Sequence, residues 1–180
     1  MIDYGFITLM EGSKRNGYVP DPEHSNSGVT IASGFDLGQR SASEITKALT
    51  PELADKLLPY VGMKKQAAVD FLMCNALSIS ESEEKEINSY SHLSAECRLL
   101  SQWRRSEVHC DFGQLASPCQ TVIASVAFQY GNLQERTPEF WQQVTSANWG
   151  KAVTNLRNFG DRYSRRRNLE ADLLENWLYS

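Results

Sequence analysis

The sequence is poor in cysteine, and its few cysteines lack the spacing of a metal site. They are Cys74, Cys97, Cys110 and Cys119, and no two of them form a CxxC pair. Because structural zinc sites usually use closely spaced cysteine pairs, we expect no zinc site. Four thiols in a chain of 180 residues do not make a disulfide framework either. The sequence leaves open whether Cys110 and Cys119 form a disulfide.

Histidine is equally scarce. His24, His92 and His109 are far apart in the chain, and no HExxH motif occurs. A catalytic metal site is therefore not expected. Cys110 lies beside His109, but in a segment typical of a loop, whereas a catalytic thiol is expected near a helix start. A Cys/His hydrolase is therefore disfavoured.

Long apolar stretches and an excess of positive charge are both absent. Lys and Arg total 18 against 22 Asp and Glu, for a net charge of -4. Nucleic-acid binders usually carry a basic excess, so we expect no nucleic-acid partner. No apolar stretch approaches the roughly 20 residues of a membrane span, so no stable membrane insertion is expected.

The N-terminal residues do not have the pattern of a Sec signal peptide. Asp3 comes before the first basic residue, Lys14, whereas a Sec signal begins with positive charge. We therefore expect a protein that is made in the cytoplasm. It would reach any external substrate by a route other than Sec.

The hydrophobic pattern changes twice along the chain. Residues 2–11 have helical spacing and end at Glu11 and Gly12. Between residues 13 and 38, glycine and proline separate short β-branched and aromatic segments, which predicts two or three short strands. The rest of the chain reads as helical, with helix starts predicted at Ser43, Thr50, Lys64, Glu81, Ser117, Thr137, Asn148 and Ser164.

This order of elements predicts an α+β fold in one domain over residues 1–180. A small β-containing lobe would cover residues 13–40, and a larger helical lobe residues 1–12 and 41–180, with a cleft between the two lobes. The apolar helix over residues 118–130 would form the buried centre of the larger lobe.

Two carboxyl groups flank the β-rich segment in a way that suits glycoside hydrolysis. That reaction needs one carboxylic acid to protonate the leaving oxygen and a second carboxylate to activate water or stabilise positive charge. Glu11 ends the first helix, and Asp36 lies in the predicted sheet. On residue types alone, a glutamate before a glycine at a helix end is more often a solvated capping residue than a catalytic one.

Several motifs spread over residues 2–175 match the patterns of known protein families. The C-terminal half has Phe128-Gln129-Tyr130-Gly131, Trp149-Gly150-Lys151-Ala152 and Arg165-Arg166-Arg167, similar to phage-type lysozymes. The run from Ser27-Gly28-Val29-Thr30-Ile31 to Phe35-Asp36-Leu37-Gly38 more closely resembles pesticin-like muramidase domains and lysozyme-like effector domains of type VI secretion. Residues 78–116 match no motif, and their role stays open.

The resemblance implies specific roles for residues of the β-rich segment. Glu11 would be the general acid, Asp36 the second carboxylate, and Thr30 would help to hold the water, with Tyr18 supporting the substrate. Thr30 and Asp36 are six residues apart, which places both on one face if they share a regular strand. In phage lysozymes the aspartate precedes the threonine, an order that would instead favour Asp21.

Two supporting residues are expected in the C-terminal half. Gln129 lies at the end of the predicted apolar helix, where its amide would face the cleft and bind a sugar N-acetyl group. The resemblance implies that Arg166 pairs with Glu11, and Arg167 is the alternative. Against this, a basic run on a helix is commonly a solvated face, and a glutamine at a helix end is commonly a capping or surface residue.

The function implied is a glycoside hydrolase of the lysozyme type, a muramidase cutting the β-1,4 bond between N-acetylmuramic acid and N-acetylglucosamine. No metal or organic cofactor is needed for that chemistry, and phage-type relatives favour inversion. The alternatives are a glycosidase acting on a chitin-like polymer, and a non-catalytic cell-wall-binding or phage tail module.

The resemblance implies partners as well as a substrate. The expected state is a monomer that acts on peptidoglycan in the periplasm or cell wall, as an antibacterial toxin or a phage-type endolysin. An immunity protein would protect the producing cell. A holin, a secretion system or cell lysis would deliver the enzyme, and the sequence does not choose among these routes.

Overall fold

The computed structural model describes all residues 1–180 and has an α+β fold, which confirms the predicted class. Ten helices and one three-stranded sheet make up the chain. The residues group into two compact units, one formed by residues 1–10 and 92–180 and the other by residues 11–91. The helices are α1 (Tyr4–Glu11), α2 (Ala42–Ala48), α3 (Pro51–Leu57), α4 (Lys65–Cys74), α5 (Glu81–Arg104), α6 (Ser117–Tyr130), α7 (Leu133–Arg136), α8 (Pro138–Thr145), α9 (Trp149–Arg157) and α10 (Ser164–Leu178).

The sheet lies in the unit of residues 11–91 and is antiparallel throughout. Its strands are β1 (Lys14–Tyr18), β2 (Thr30–Ala32) and β3 (Phe35–Asp36), in that order across the sheet. All three strands fall in the segment where glycine and proline separate β-branched and aromatic residues. The strand content of this segment is therefore confirmed.

A core of aliphatic side chains supports the sheet. Ile31 of β2 and Phe35 of β3 are buried together with Ile45 of α2 and Leu53 of α3. Helix α2 starts at Ala42, one residue before the predicted Ser43, because the Ser41 side chain accepts a hydrogen bond from the backbone N–H of Glu44 and caps the helix. The sheet therefore rests on a closely packed helical layer.

Helix α6 forms the buried centre of the other unit, as predicted. Its residues from Cys119 to Ala127 are all buried, so it is covered on every side rather than along one stripe. Polar residues Gln120, Thr121 and Ser125 are buried with it, and each makes a hydrogen bond inside this unit.

One long helix agrees with the sequence prediction and one short helix was not expected. Residues 81–104 form the single 24-residue helix α5, which begins at Glu81 as predicted. The four-residue helix α7 was not predicted, because its sequence Leu133–Arg136 is too short to show a period. None of the helices combines the length and the hydrophobicity that a membrane span requires.

Candidate functional site

Three of the predicted site residues lie in one row across the sheet. Tyr18 of β1 is paired with Thr30 of β2, and Thr30 is paired with Asp36 of β3. Residues directly opposite each other on antiparallel strands project from the same face of the sheet. The phenol, the hydroxyl and the carboxylate therefore share one face.

Thr30 and Asp36 share that face for a different reason from the one the sequence indicated. The expectation of one regular strand is wrong, because the chain reverses between them and places them on neighbouring strands. Gly34 in the turn has a φ of 84°, in the left-handed region that glycine adopts readily. The tight turn thus brings the two residues into direct register.

Two backbone N–H groups hold the Asp36 carboxylate. Gly28 N and Gly38 N donate to the same oxygen, Oδ1, at 3.0 and 2.9 Å. The bond from Gly38 also makes Asp36 the cap of a short 3-10 turn over Leu37–Gln39. Asp36 is half-buried, so its carboxylate is fixed in the fold and still reached by solvent.

The hydroxyl of Thr30 is oriented by the backbone as well. Thr30 is nearly buried, and its Oγ1 donates to the carbonyl oxygen of Gly28 at 3.1 Å. A threonine hydroxyl has one hydrogen to donate, and here that hydrogen is engaged. Toward a water molecule, Thr30 is therefore a hydrogen-bond acceptor.

Tyr18 is influenced by the same carboxylate. Burial raises the pKa of the Tyr18 phenol, and the negative charge of Asp36 raises it further. The Nζ of Lys14 lies over the Tyr18 ring, 4.1 Å from its centre. Tyr18 therefore stays a neutral phenol beside Asp36, able to donate a hydrogen bond.

Glu11 is the last residue of α1 and is half-buried. Gly12, which follows it, has a φ of 64°, so the chain leaves the helix through a left-handed residue and enters β1 at Lys14. The predicted position of Glu11 at a helix end is confirmed. Its role as the general acid stays a prediction.

Asp21 has different surroundings from Asp36. It lies in an exposed turn with a φ of 41°, outside the three strands. Its carboxylate accepts a hydrogen bond from the backbone of His24 and lies 2.9 Å from the Nδ1 atom of that residue. These contacts are those of a solvated turn residue, and the geometry favours Asp36 over Asp21 as the partner of Thr30.

The predicted supporting residues of the C-terminal half lie in a buried polar cluster. Arg166 donates to the carbonyl and hydroxyl oxygens of Ser125 at 2.9 and 3.0 Å and contacts Glu170 at 3.2 Å. Arg167, only 1% exposed, contacts Asp161, Glu170 and the side-chain oxygen of Gln129. A solvated basic face is therefore wrong for Arg166 and Arg167, while the pairing of Arg166 with Glu11 and the sugar-binding role of Gln129 stay predictions.

Glu170 is the member of this cluster that the sequence analysis missed. It is fully buried, with Oε1 toward Arg166 and Ser125 and Oε2 toward Arg167. Burial raises the pKa of the Glu170 carboxyl, and the guanidinium groups and the Ser125 hydroxyl oppose that rise. The sequence did indicate that Glu170 lies near the arginines, because Arg167 and Arg166 are three and four positions before it and such residues lie on one face of a helix.

The cysteines lie outside these clusters. Cys74 and Cys97 are exposed, whereas Cys119 is buried in α6 and burial raises its pKa to about 12. All four are free thiols in this structure. No group of three His, Cys, Asp or Glu residues is arranged to hold a metal ion.

Comparison with known families gives a match over most of the chain. A family model described as "Pesticin: Bacterial toxin homologue of phage lysozyme, C-term" matches residues 1–150. The matched range includes Glu11, Thr30 and Asp36, and also Gln129. It ends before α10, so Arg166, Arg167 and Glu170 lie outside it. No curated protein matches the chain.

Proposed function

The chain belongs to the pesticin family of bacterial toxins homologous to phage lysozyme, and from this premise we propose that it is a peptidoglycan muramidase. The bond cut would be the β-1,4 linkage between N-acetylmuramic acid and N-acetylglucosamine. The observation that carries the proposal is the register of Tyr18, Thr30 and Asp36, which gives one face of the sheet a fixed carboxylate and a fixed hydroxyl acceptor.

Glu11 would act as the general acid. Its carboxylic acid proton passes to the glycosidic oxygen as the bond from that oxygen to the anomeric carbon breaks. Positive charge then develops at the sugar, and the leaving chain departs with a free hydroxyl group. Glu11 becomes a carboxylate and recovers its proton from solvent before the next turnover.

Asp36 and Thr30 would direct the attacking water. Both backbone donors meet Oδ1 of Asp36, which leaves Oδ2 to accept a proton from the water. Thr30 Oγ1 accepts a hydrogen bond from the second hydrogen of that water, because its own hydrogen is donated to the Gly28 carbonyl. A lone pair of the water oxygen attacks the anomeric carbon as Asp36 takes the proton, and Asp36 then releases that proton to solvent. This pathway inverts the configuration, for which the two carboxyl groups are typically about 6.5–9.5 Å apart.

The test replaces Glu11 and identifies the reducing end of the product. Glu11→Gln keeps the size of the side chain but removes the acid, so release of soluble fragments from purified cell walls should fall by at least about 100-fold. Glu23→Gln, at an exposed position, is the matched control and should remain as active as the wild-type protein. Near wild-type hydrolysis by Glu11→Gln would contradict the mechanism.

Borohydride reduction followed by mass spectrometry decides which bond is cut. A muramidase gives reduced N-acetylmuramic acid, whereas a glucosaminidase gives reduced N-acetylglucosamine. Parallel assays on chitin separate the alternative glycosidase, and wall binding without fragment release would indicate a non-catalytic module.

We also propose that the protein acts in the periplasm and that a producing bacterium needs an immunity protein. Its family of bacterial toxins supports this proposal. Expression with an added Sec leader should lyse cells, whereas expression without one should not. Lysis that persists with Glu11→Gln would show that the toxicity is not hydrolytic.

A further inference from the structure

Gly28 connects the two side chains that are proposed to hold the water. Its N–H donates to Asp36 Oδ1 at 3.0 Å, and its carbonyl accepts from Thr30 Oγ1 at 3.1 Å. Gly38 supplies the second donor to the same Asp36 oxygen at 2.9 Å. Three hydrogen bonds, two donated by glycine N–H groups and one accepted by the Gly28 carbonyl, therefore determine where the carboxylate and the hydroxyl lie.

Only glycine fits at these two positions. A Cβ atom on Gly28 would lie 2.2 Å from the Met63 carbonyl oxygen and 2.5 Å from Gly38 Cα. A Cβ atom on Gly38 would lie 2.6 Å from that carbonyl and 2.7 Å from Gly28 Cα. All of these neighbours are backbone atoms, which cannot move aside as a flexible side chain can. The two N–H groups converge on one oxygen because neither residue has a side chain.

The surrounding backbone is itself held in place. Lys65 N donates to the carbonyl of Ser27 at 2.9 Å, and Gly62 N donates to the carbonyl of Leu37 at 3.1 Å. These bonds fasten the segment that contains Met63 to the residues just before Gly28 and Gly38. The close packing of Gly28 against Gly38 is thus maintained by backbone hydrogen bonds of the fold.

We propose that Gly28 and Gly38 are positioning residues of the hydrolytic site, acting through Asp36 and Thr30. This inference rests on the proposed function of those two side chains. Hydrogen bonds from two N–H groups stabilise negative charge on Oδ1 and fix the plane of the carboxylate. The fixed plane sets the direction in which Oδ2 meets the water, and a displacement of about 1 Å at such a group can cost about 100-fold in rate.

The experiment compares alanine substitutions at three glycines of the same unit. Gly28→Ala and Gly38→Ala should lower kcat by at least about 10-fold with little change in KM, because the base is displaced. Gly17→Ala is the matched control, since its Cβ would crowd only side chains, at 3.0 Å from Leu77 Cβ and 3.2 Å from Leu72 Cδ1. It should lose stability but keep kcat within about 2-fold. All rates are measured at a temperature where each variant is folded.

A double-mutant cycle separates positioning from general damage. If Gly38 acts through Asp36, then Gly38→Ala should change the residual rate of Asp36→Asn by less than about 2-fold. Additive losses, or wild-type kcat in either glycine variant, would overturn the proposal.

A spectroscopic measurement decides the question if the alanine variants do not fold. In the full chain with labelled glycine, Asp36→Ala should move the amide proton signals of Gly28 and Gly38 together and leave the Gly17 signal in place. If either glycine signal stays unchanged, that glycine does not donate the proposed hydrogen bond to Asp36. Failure of the proposed function looks different, because wild-type protein would then release no wall fragments or Asp36→Asn would be fully active, whatever the amide signals show.

Discussion

Among single residues, Asp36 combines a structural role with a role proposed in catalysis, and the two can be tested separately. Structurally it accepts from Gly28 N and Gly38 N and caps a 3-10 turn. An asparagine side chain also carries an oxygen that can accept these bonds, but it has no negative charge and no second acceptor oxygen. Comparing Asp36→Asn with Asp36→Ala therefore separates the structural role of Asp36 as a hydrogen-bond acceptor from its proposed catalytic role as a base.

We expect Asp36→Asn to keep most of its stability and to lose at least about 100-fold in the rate of wall hydrolysis. Asp36→Ala should lose the same activity and also about 1–2 kcal/mol of unfolding free energy, because two N–H groups lose their acceptor. Asp21→Asn is the control and should leave both quantities nearly unchanged. Rates on purified walls and denaturant unfolding curves measure the two effects. If Asp21→Asn proves inactive and Asp36→Asn active, the assignment of the second carboxylate is wrong.

The acceptor role of Thr30 gives a second prediction at this scale. Thr30→Ser retains a hydroxyl that can donate to Gly28 and accept from the water, so the rate should stay within about 5-fold of wild type. Thr30→Val has the same shape but leaves the Gly28 carbonyl without that donor and the water without its acceptor. We expect a loss of at least about 10-fold in kcat and about 1–2 kcal/mol in stability. Equal rates for the serine and valine variants would remove Thr30 from the mechanism.

The elements differ in how far the sequence predicts them, and local signals explain why. Helix α6 has the bounds expected from Ser117-Pro118 and its apolar run, and α10 begins at Ser164, the residue that was predicted to cap it. The reversal between Thr30 and Asp36 was missed although Ser33-Gly34 is a turn signal, because an even spacing places two residues on one face both within a single strand and across such a turn. The role of Gly28 and the burial of Glu170 depend on contacts distant in sequence, which a single sequence does not display.

The three adjacent arginines of helix α10 differ in how far they are exposed to solvent, which the sequence Arg165-Arg166-Arg167 does not indicate. Arg165 is exposed, the Arg166 side chain is 10% exposed, and Arg167 is buried. A buried ion pair is costly to form, and removing one partner is costlier still, because the remaining charge is left in an apolar setting. The three arginines should therefore respond differently to the same substitution.

Arg166→Ala should destabilise the protein by about 2 kcal/mol or more, whereas Arg165→Ala should change stability by less than about 0.5 kcal/mol. The loss should be larger at pH 7 than at pH 4. Burial already raises the pKa of Glu170, and losing one of its two guanidinium neighbours raises it further, while Arg167 remains beside it. A carboxyl with a raised pKa in the folded state favours folding at low pH, and this contribution is lost as pH rises through that pKa. Unfolding curves of both variants at the two pH values test this, and equal effects of the two substitutions would contradict the burial of Arg166.

At the scale of the whole molecule, the net charge of -4 sets how the protein should approach its substrate. Bacterial cell walls carry many anionic groups. A protein with an acidic balance has no general attraction to them that salt could screen. Arg162 and Arg165, which are exposed near the start of α10, are the residues that could attract anionic wall groups locally. The Arg162 guanidinium already donates to the hydroxyl of Tyr163 at 2.8 Å.

We therefore expect the rate of wall hydrolysis to change by less than about 2-fold between about 50 and 200 mM salt, a range over which screening of exposed charges increases strongly. A cationic lysozyme assayed on the same walls is the positive control, and its rate should fall across that range as its attraction is screened. A steep loss of activity here would show that a local basic surface controls binding. In that case Arg162→Ala and Arg165→Ala should each reduce the salt dependence. If neither substitution does so, the attraction comes from another part of the surface.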